Sequence, residues 1–184
     1  MWRVARRLLV VSVLAATMVA LAGEAASAHV TLQPGSLPKG ASDVLVGFAV
    51  PNESTTGAST VKVEIDFPTA KPILGVSAQA MFGWTSSVQT VKLTRPVNTD
   101  DGQITEAVSQ VTWTATSGGV GADEFGLFTV LAGTLPSSTN QLVFKAIQTY
   151  SDGTVVSWIE PIVKGTPAPD HPTPILKLTK KTSG

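Results

Sequence analysis

The sequence predicts an all-β protein, an immunoglobulin-like β-sandwich of about seven to nine strands. Apolar residues alternate with polar or small residues in several short segments, which is the two-residue period of half-buried strands. The 184 residues include 16 glycines and 12 prolines, which are typical of turns and disfavour long helices. No window repeats its apolar residues at helical spacing. These observations together favour many short strands joined by turns.

Six segments carry the strand pattern. In 104–116 the alternation changes phase, which predicts a β-bulge. Between the last two segments lies Asp152-Gly153, a strong hairpin signal because glycine readily adopts positive φ. A polar run at 98–102 predicts another turn. The predicted strands are 44–50, 61–67, 104–116, 125–135, 142–150 and 155–159.

The first 28 residues have the three parts of a secretory signal peptide. Three arginines form a positive start, and an apolar run at 8–21 follows them. That run is shorter than the roughly 20 residues that a membrane-spanning helix needs. Ala26-Ser27-Ala28 is a small-residue cleavage site. The sequence therefore predicts an exported protein whose mature chain begins at His29.

The mature chain would contain 156 residues, which is enough for one domain with a sizeable core. Its 10 basic and 12 acidic residues leave a net charge of −2, which does not favour nucleic acid as a partner. The chain has no cysteine, which excludes disulfides, a thiolate nucleophile and a thiolate metal site. We predict one domain over 29–164 and a disordered tail over 165–184, because that tail is rich in proline and ends in lysines.

A histidine at the first position of a chain has two nitrogen donors in one residue. The α-amine has an ordinary pKa of about 8 and the imidazole one of about 6.5, so both can lose a proton near neutral pH. The amine and Nδ1 of His29 could then chelate one metal ion, and Cu(II) binds such donors most tightly among the common divalent ions. The alternative is that signal cleavage leaves a histidine there by chance. Other residues must complete any such site.

Four segments of the mature chain, in order, resemble a known family. They are HVTLQP at 29–34, VPNE at 50–53, SQVTWTAT at 109–116 followed by GLFTV at 126–130, and YSDGTVVSW at 150–158. On these segments the chain, from His29 to about Glu160, resembles the YcnI-like copper-binding proteins of bacteria. That resemblance implies an extracytoplasmic β-sandwich that binds Cu(II) through a mono-histidine brace.

Carried onto this chain, the resemblance implies three metal-site residues: His29, Glu53 in VPNE, and Trp158 in YSDGTVVSW. Each has an alternative role, since an acidic residue after a strand is usually a solvated turn residue and an indole in a strand is usually core. Asp152 or Glu160 could supply the carboxylate in place of Glu53. Tyr150 could order the site from outside the ligand set.

The other histidine, His171, lies in the proline-rich tail and is expected to be solvated there. A two-histidine brace, as in lytic polysaccharide monooxygenases, needs its second histidine on the folded core. We therefore expect no catalytic residues and no enzymatic activity. Soft sulfur ligands favour Cu(I), and Met81 is the only sulfur residue of the mature chain, so the site should prefer Cu(II).

The leading hypothesis is a Cu(II) carrier or metallochaperone in copper homeostasis, located in the cell envelope, the periplasm or the medium. Its expected partners are the copper ion and a membrane copper transporter or another extracytoplasmic copper carrier. One alternative is a metal-free sandwich for adhesion or partner binding. Another is a copper oxidoreductase.

Overall fold

The computed structural model describes residues 29–100 and 102–181, in which every regular element is a β-strand. The all-β prediction is therefore confirmed. The predicted signal peptide, residues 1–28, lies outside the described residues. Over the described ranges, no helix has the length and apolar character needed to cross a membrane.

The strands form two larger sheets and one small sheet. The four-stranded sheet runs in the order β1 (Thr31–Gln33), β3 (Ser42–Pro51), β8 (Phe125–Thr134) and β5 (Leu74–Ala78). The five-stranded sheet runs in the order β11 (Val155–Trp158), β10 (Lys145–Tyr150), β4 (Thr60–Asp66), β7 (Gly102–Ala115) and β6 (Trp84–Thr99). The small sheet contains β2 (Ser36–Pro38), β12 (Ile175–Thr179) and β9 (Gln141–Val143).

The core lies between the two larger sheets, where the inward side chains of their strands meet. On β3, Val46, Phe48 and Val50 are fully buried at alternate positions, as the two-residue period predicts. Trp113 of β7 packs against Phe128 of β8 with ring centroids 5.6 Å apart. Aromatic contacts of this kind add about 0.5–1.5 kcal/mol each to the free energy of burial. They hold the two sheets face to face without a disulfide.

The described residues form twelve strands, more than the sequence predicts. Three-residue strands such as β1, β2 and β9 are too short for an alternating pattern to stand out, and the predicted strand 142–150 is divided between β9 and β10. The sequence also misses β6, whose side chains are almost all exposed or half-buried and so have no buried face. The irregularity predicted near 104–116 is present as two register shifts between β6 and β7.

The prediction of a disordered tail was wrong for residues 165–181, while residues 182–184 lie outside the described residues. Strand β12 pairs in parallel with β2 and antiparallel with β9. Its Leu176 and Leu178 are buried, while Lys177 and Thr179 face solvent. Two leucines at strand spacing are sufficient to dock this segment, although the prolines and lysines around them suggest a solvated chain. The domain therefore extends beyond the predicted boundary at residue 164.

The two larger sheets each end in a strand that matters for the site. Strand β1 is an edge strand of the four-stranded sheet, and β11 is an edge strand of the five-stranded sheet. His29 comes directly before β1, and Trp158 is the last residue of β11. The topology therefore brings the two predicted site residues to the edges of facing sheets.

Candidate metal centre

Trp158 is the fixed point of the candidate site. It lies opposite Ala146 of β10 in the hairpin whose turn is Asp152-Gly153. Gly153 has a φ of 86°, as the turn signal predicts. The Trp158 side chain is fully buried and belongs to the hydrophobic core. The indole is therefore part of the hydrophobic core. It can contact a metal site only at the edge of the sheet, where the core meets the surface.

His29 lies at that edge and contacts the indole. The ring centroids of His29 and Trp158 are 6.1 Å apart, with an angle of 74° between the ring planes. The next residue, Val30, is buried and anchors the start of the chain, whereas His29 itself is half-buried. In the antiparallel register Thr31 lies opposite Ala49, so His29 is directed toward the end of β3. The structure thus brings two of the three predicted residues together.

Glu53 follows the end of β3 and is held in place by its neighbour. The buried side chain of Asn52 donates hydrogen bonds from Nδ2 to the carbonyl oxygens of Ala58, at 2.8 Å, and Val120, at 2.9 Å. These bonds fix the turn from which the exposed Glu53 projects. In the described part of the chain, no ion pair joins the Glu53 carboxylate to His29. The role of Glu53 as a ligand stays a prediction.

Tyr150 does contact the Glu53 segment. Its hydroxyl oxygen accepts a hydrogen bond of 3.4 Å from the backbone N–H of Glu53. Burial raises the pKa of Tyr150, and the neighbouring carboxylates of Glu53 and Asp152 raise it further, while the N–H of Glu53 acts in the opposite direction. The phenol therefore stays protonated at neutral pH. Tyr150 contacts the main chain of the turn rather than a ligand atom.

Asp152, one of the alternative carboxylates, serves the hairpin turn. Its side chain accepts hydrogen bonds from the backbone N–H of Thr154, at 2.9 Å, and from the hydroxyl of Thr56, at 3.1 Å. The bond from Thr154 is the main reason that the pKa of Asp152 is lowered. A carboxylate whose oxygens are already occupied in this way is a poorer candidate for a metal ligand than Glu53.

Gln148 is a site residue that the sequence did not single out. Its side chain is fully buried, and its Nε2 donates to the carbonyl oxygen of Pro51 at 2.8 Å and to the Thr60 hydroxyl at 2.7 Å. Its Oε1 accepts a hydrogen bond of 3.2 Å from the indole N–H of Trp158. One amide thus links the end of β3 to the indole. The available signal was a glutamine at an inward position of β10, between Ala146 and Tyr150.

His171 also contacts Trp158, contrary to the prediction of a solvated tail residue. The two ring centroids are 5.1 Å apart, with the planes at 70°. The His171 N–H donates to Glu160 Oε2 at 3.3 Å, and its carbonyl oxygen accepts the Glu160 N–H at 3.0 Å. A bridge between Glu160 and Pro172 closes the intervening loop, so residues distant in sequence are adjacent in space. Local composition could not reveal that closure.

The donors at this edge are few. In residues 29–100 and 102–181 there is no group of three or more His, Cys, Asp and Glu side chains able to hold a metal ion. His29 offers an imidazole, and Glu53 offers a carboxylate on a nearby turn. Nitrogen and oxygen donors of this kind suit Cu(II) better than Cu(I). The arrangement fits a metal ion only if the chain supplies further donors, such as a free α-amine at His29.

Comparisons with known proteins agree with this fold. Residues 29–178 match the family described as a domain of unknown function, DUF1775, and the chain belongs to that family. It is 30% identical over 133 residues to the copper-binding protein CutI of Bacillus subtilis (strain 168), which covers 72% of this chain and 56% of that protein. The resemblance to YcnI-like proteins is therefore confirmed.

A solved structure gives the same result for the architecture. An uncharacterized protein from Nocardia farcinica, described as having an immunoglobulin-like fold, aligns with a TM-score of 0.65 and 35% sequence identity. The alignment covers 83% of this chain and 99% of that one. The immunoglobulin-like sandwich predicted from the sequence is thus confirmed.

Proposed function

We propose that this protein is an exported Cu(II)-binding protein that carries copper outside the cytoplasm and catalyses no reaction. The α-amine and imidazole of His29 would hold the ion, the Glu53 carboxylate would add an oxygen donor, and the Trp158 indole would lie beside it. The observation that carries the proposal is the contact between the His29 and Trp158 rings, 6.1 Å apart at the sheet edge. The relative from Bacillus subtilis is named as a copper-binding protein, which supports the choice of metal.

The chelate requires a free amine, so the proposal depends on cleavage after Ala28. With that cut, His29 presents two nitrogen donors, the α-amine and the imidazole, that one ion can bind together. Val30 and Leu32 are buried on one face of the first segment, which leaves His29 half-buried at the edge of the core. Burial of these two neighbours restricts the position of the first residue. A restricted chelating residue binds more tightly than a free one because less conformational entropy is lost.

The deciding experiment compares two mature chains, one that begins at His29 and one that carries a single glycine before it. We expect the first chain to bind one Cu(II) ion, and the added glycine to weaken binding at least about tenfold and to change the set of nitrogen donors, because it converts the α-amine of His29 into an amide nitrogen. Titration with Cu(II) measures the affinity, and electron paramagnetic resonance reports the nitrogen donors. Equal thermal stability of the two metal-free chains is the folding control.

Copper binding that is weak and indifferent to the added glycine would contradict the proposal. The metal-free sandwich for adhesion or partner binding would then be the remaining hypothesis, since the fold itself is unaffected by that result. Turnover of an added substrate by the copper-loaded chain would instead favour an oxidoreductase.

The same titration identifies the carboxylate. Glu53→Gln should weaken Cu(II) binding about 10- to 100-fold, because the neutral amide is a poorer donor than the carboxylate. Asp152→Asn is the matched control, since its amide oxygen can still accept the hydrogen bond from the Thr154 N–H. A larger loss in Asp152→Asn than in Glu53→Gln would show that the carboxylate was assigned to the wrong residue.

A further inference from the structure

Two imidazoles, not one, lie against the indole of Trp158. We propose that His171 donates a nitrogen to the copper ion of this site, a ligand outside the set of His29, Glu53 and Trp158. This inference rests on the proposed function, because it concerns the same ion.

The first support is the shared contact surface. The ring centroids of His29 and His171 lie 6.1 Å and 5.1 Å from the ring centroid of Trp158, and both ring planes are steeply inclined to the indole plane. Trp158 is fully buried, whereas both histidines are half-buried and reach solvent. The two imidazoles therefore cover the indole where the core meets the surface. In the described residues the side chains of His29, Glu53 and His171 do not form a ready-made group of metal ligands, so His171 must turn toward the ion when it binds.

The second support is the free state of the ring nitrogens. Neither imidazole makes a hydrogen bond to another residue in the described ranges, and His171 is bonded only through its main chain. A neutral imidazole carries one nitrogen lone pair that can bind a metal ion. Since its ring nitrogens make no hydrogen bond within those ranges, His171 can turn toward an ion without breaking one.

The third support is the fixed backbone of His171. Glu160 bonds to both main-chain groups of His171, and the Glu160 carbonyl oxygen also accepts the Thr173 N–H at 2.9 Å. The next two residues, Pro172 and Thr173, are buried. The backbone of His171 is thus held beside Trp158. A donor whose backbone is already fixed loses less conformational entropy on binding than one on a free chain.

The competing explanation is that His171 only packs against the indole. That role requires the shape of the ring but not its nitrogen atoms. If His171 only covers the indole, a phenylalanine of similar shape should serve as well. If His171 binds the ion, the ring must carry a nitrogen. The substitution His171→Phe therefore separates the two roles, while His171→Ala removes both.

The test uses the mature chain beginning at His29, with His171→Ala and His171→Phe, and Cu(II) alone as the probe. We expect pulsed electron paramagnetic resonance to detect two coordinated imidazoles in the parent chain and one in each variant. The affinity should fall at least about tenfold in both variants, since even residues that only support a ligand cost about 10- to 100-fold. The thermal stability of metal-free His171→Phe is the folding control.

A single imidazole in the parent chain, or parent-like affinity in His171→Phe, would overturn the inference and leave His171 a packing residue. The imidazole count of the parent chain decides the question even if both variants fail to fold. Failure of the proposed function has another signature: the parent chain then binds no copper tightly, or binds it equally well with a glycine before His29. Tight, glycine-sensitive binding with one imidazole would overturn the role of His171 alone.

Discussion

Replacing Trp158 with alanine is expected to lower the free energy of unfolding by about 3–5 kcal/mol, the range measured for buried aromatic residues. The indole is fully buried in the core and contacts both histidines, so its loss leaves a cavity at the sheet edge. Urea unfolding of the metal-free protein measures the effect. A loss below about 1 kcal/mol would mean that the edge collapses to fill the space.

A subtler change isolates the indole N–H. Trp158→Phe keeps an aromatic ring but leaves Gln148 Oε1 without its donor, which should cost about 1–3 kcal/mol beyond the change in volume. Trp113→Phe is the matched control, because Trp113 is equally buried and its Nε1 bonds to no residue in the described ranges. The difference between the two variants measures what a bonded indole N–H contributes relative to an unbonded one. Equal losses would contradict the role given to Gln148.

Replacing Gln148 with leucine is expected to cost about 2–4 kcal/mol, because it leaves the buried Thr60 hydroxyl and the buried Trp158 N–H without their partner. The loss should appear as a lower urea midpoint with an unchanged slope. The freed indole N–H should also exchange its hydrogen faster. Gln141→Leu, at an exposed position of β9, is the control and should change stability by less than about 0.5 kcal/mol.

The same substitution tests the link between core and site. Gln148 holds the end of β3 against Trp158, and His29 is directed toward that end. We therefore expect Gln148→Leu to weaken Cu(II) binding even though it removes no donor. Unchanged affinity in a folded variant would mean that His29 and Trp158 keep their places without this amide.

The predictable parts of the fold are the strands in which one face is buried, because burial makes apolar residues recur at every second position. Strands β3 and β4 present one face to the core, so their alternation is visible in the sequence. Strand β6 has no buried face, and β12 lies among prolines and lysines, so neither produces a clear pattern. Strand β6 lies at a sheet edge, and β12 lies between two three-residue strands, so both depend on pairing with strands that the local sequence does not contain.

The candidate site divides along the same line. The pairing of His29 with Trp158 was implied by the family resemblance, which rests on motifs early and late in the domain, and the structure places their rings in contact. Gln148 and His171 were missed because their positions depend on partners about 100 residues away for one, and on a closed loop for the other. The sequence shows which chemical groups a side chain carries, whereas only the folded structure shows which residues surround it.

The residues around the Trp158 indole come from the beginning, the later hairpin and the final segment of the described chain. The site can therefore form only after these distant segments have come together. While the chain emerges and remains unfolded, it offers an ion only what single residues can hold, and contacts between such distant residues form slowly. His29 and His171 lie together beside Trp158 only in the folded domain. If the proposed copper site is correct, loading would therefore follow folding, and the bound ion would stabilise the folded state against unfolding.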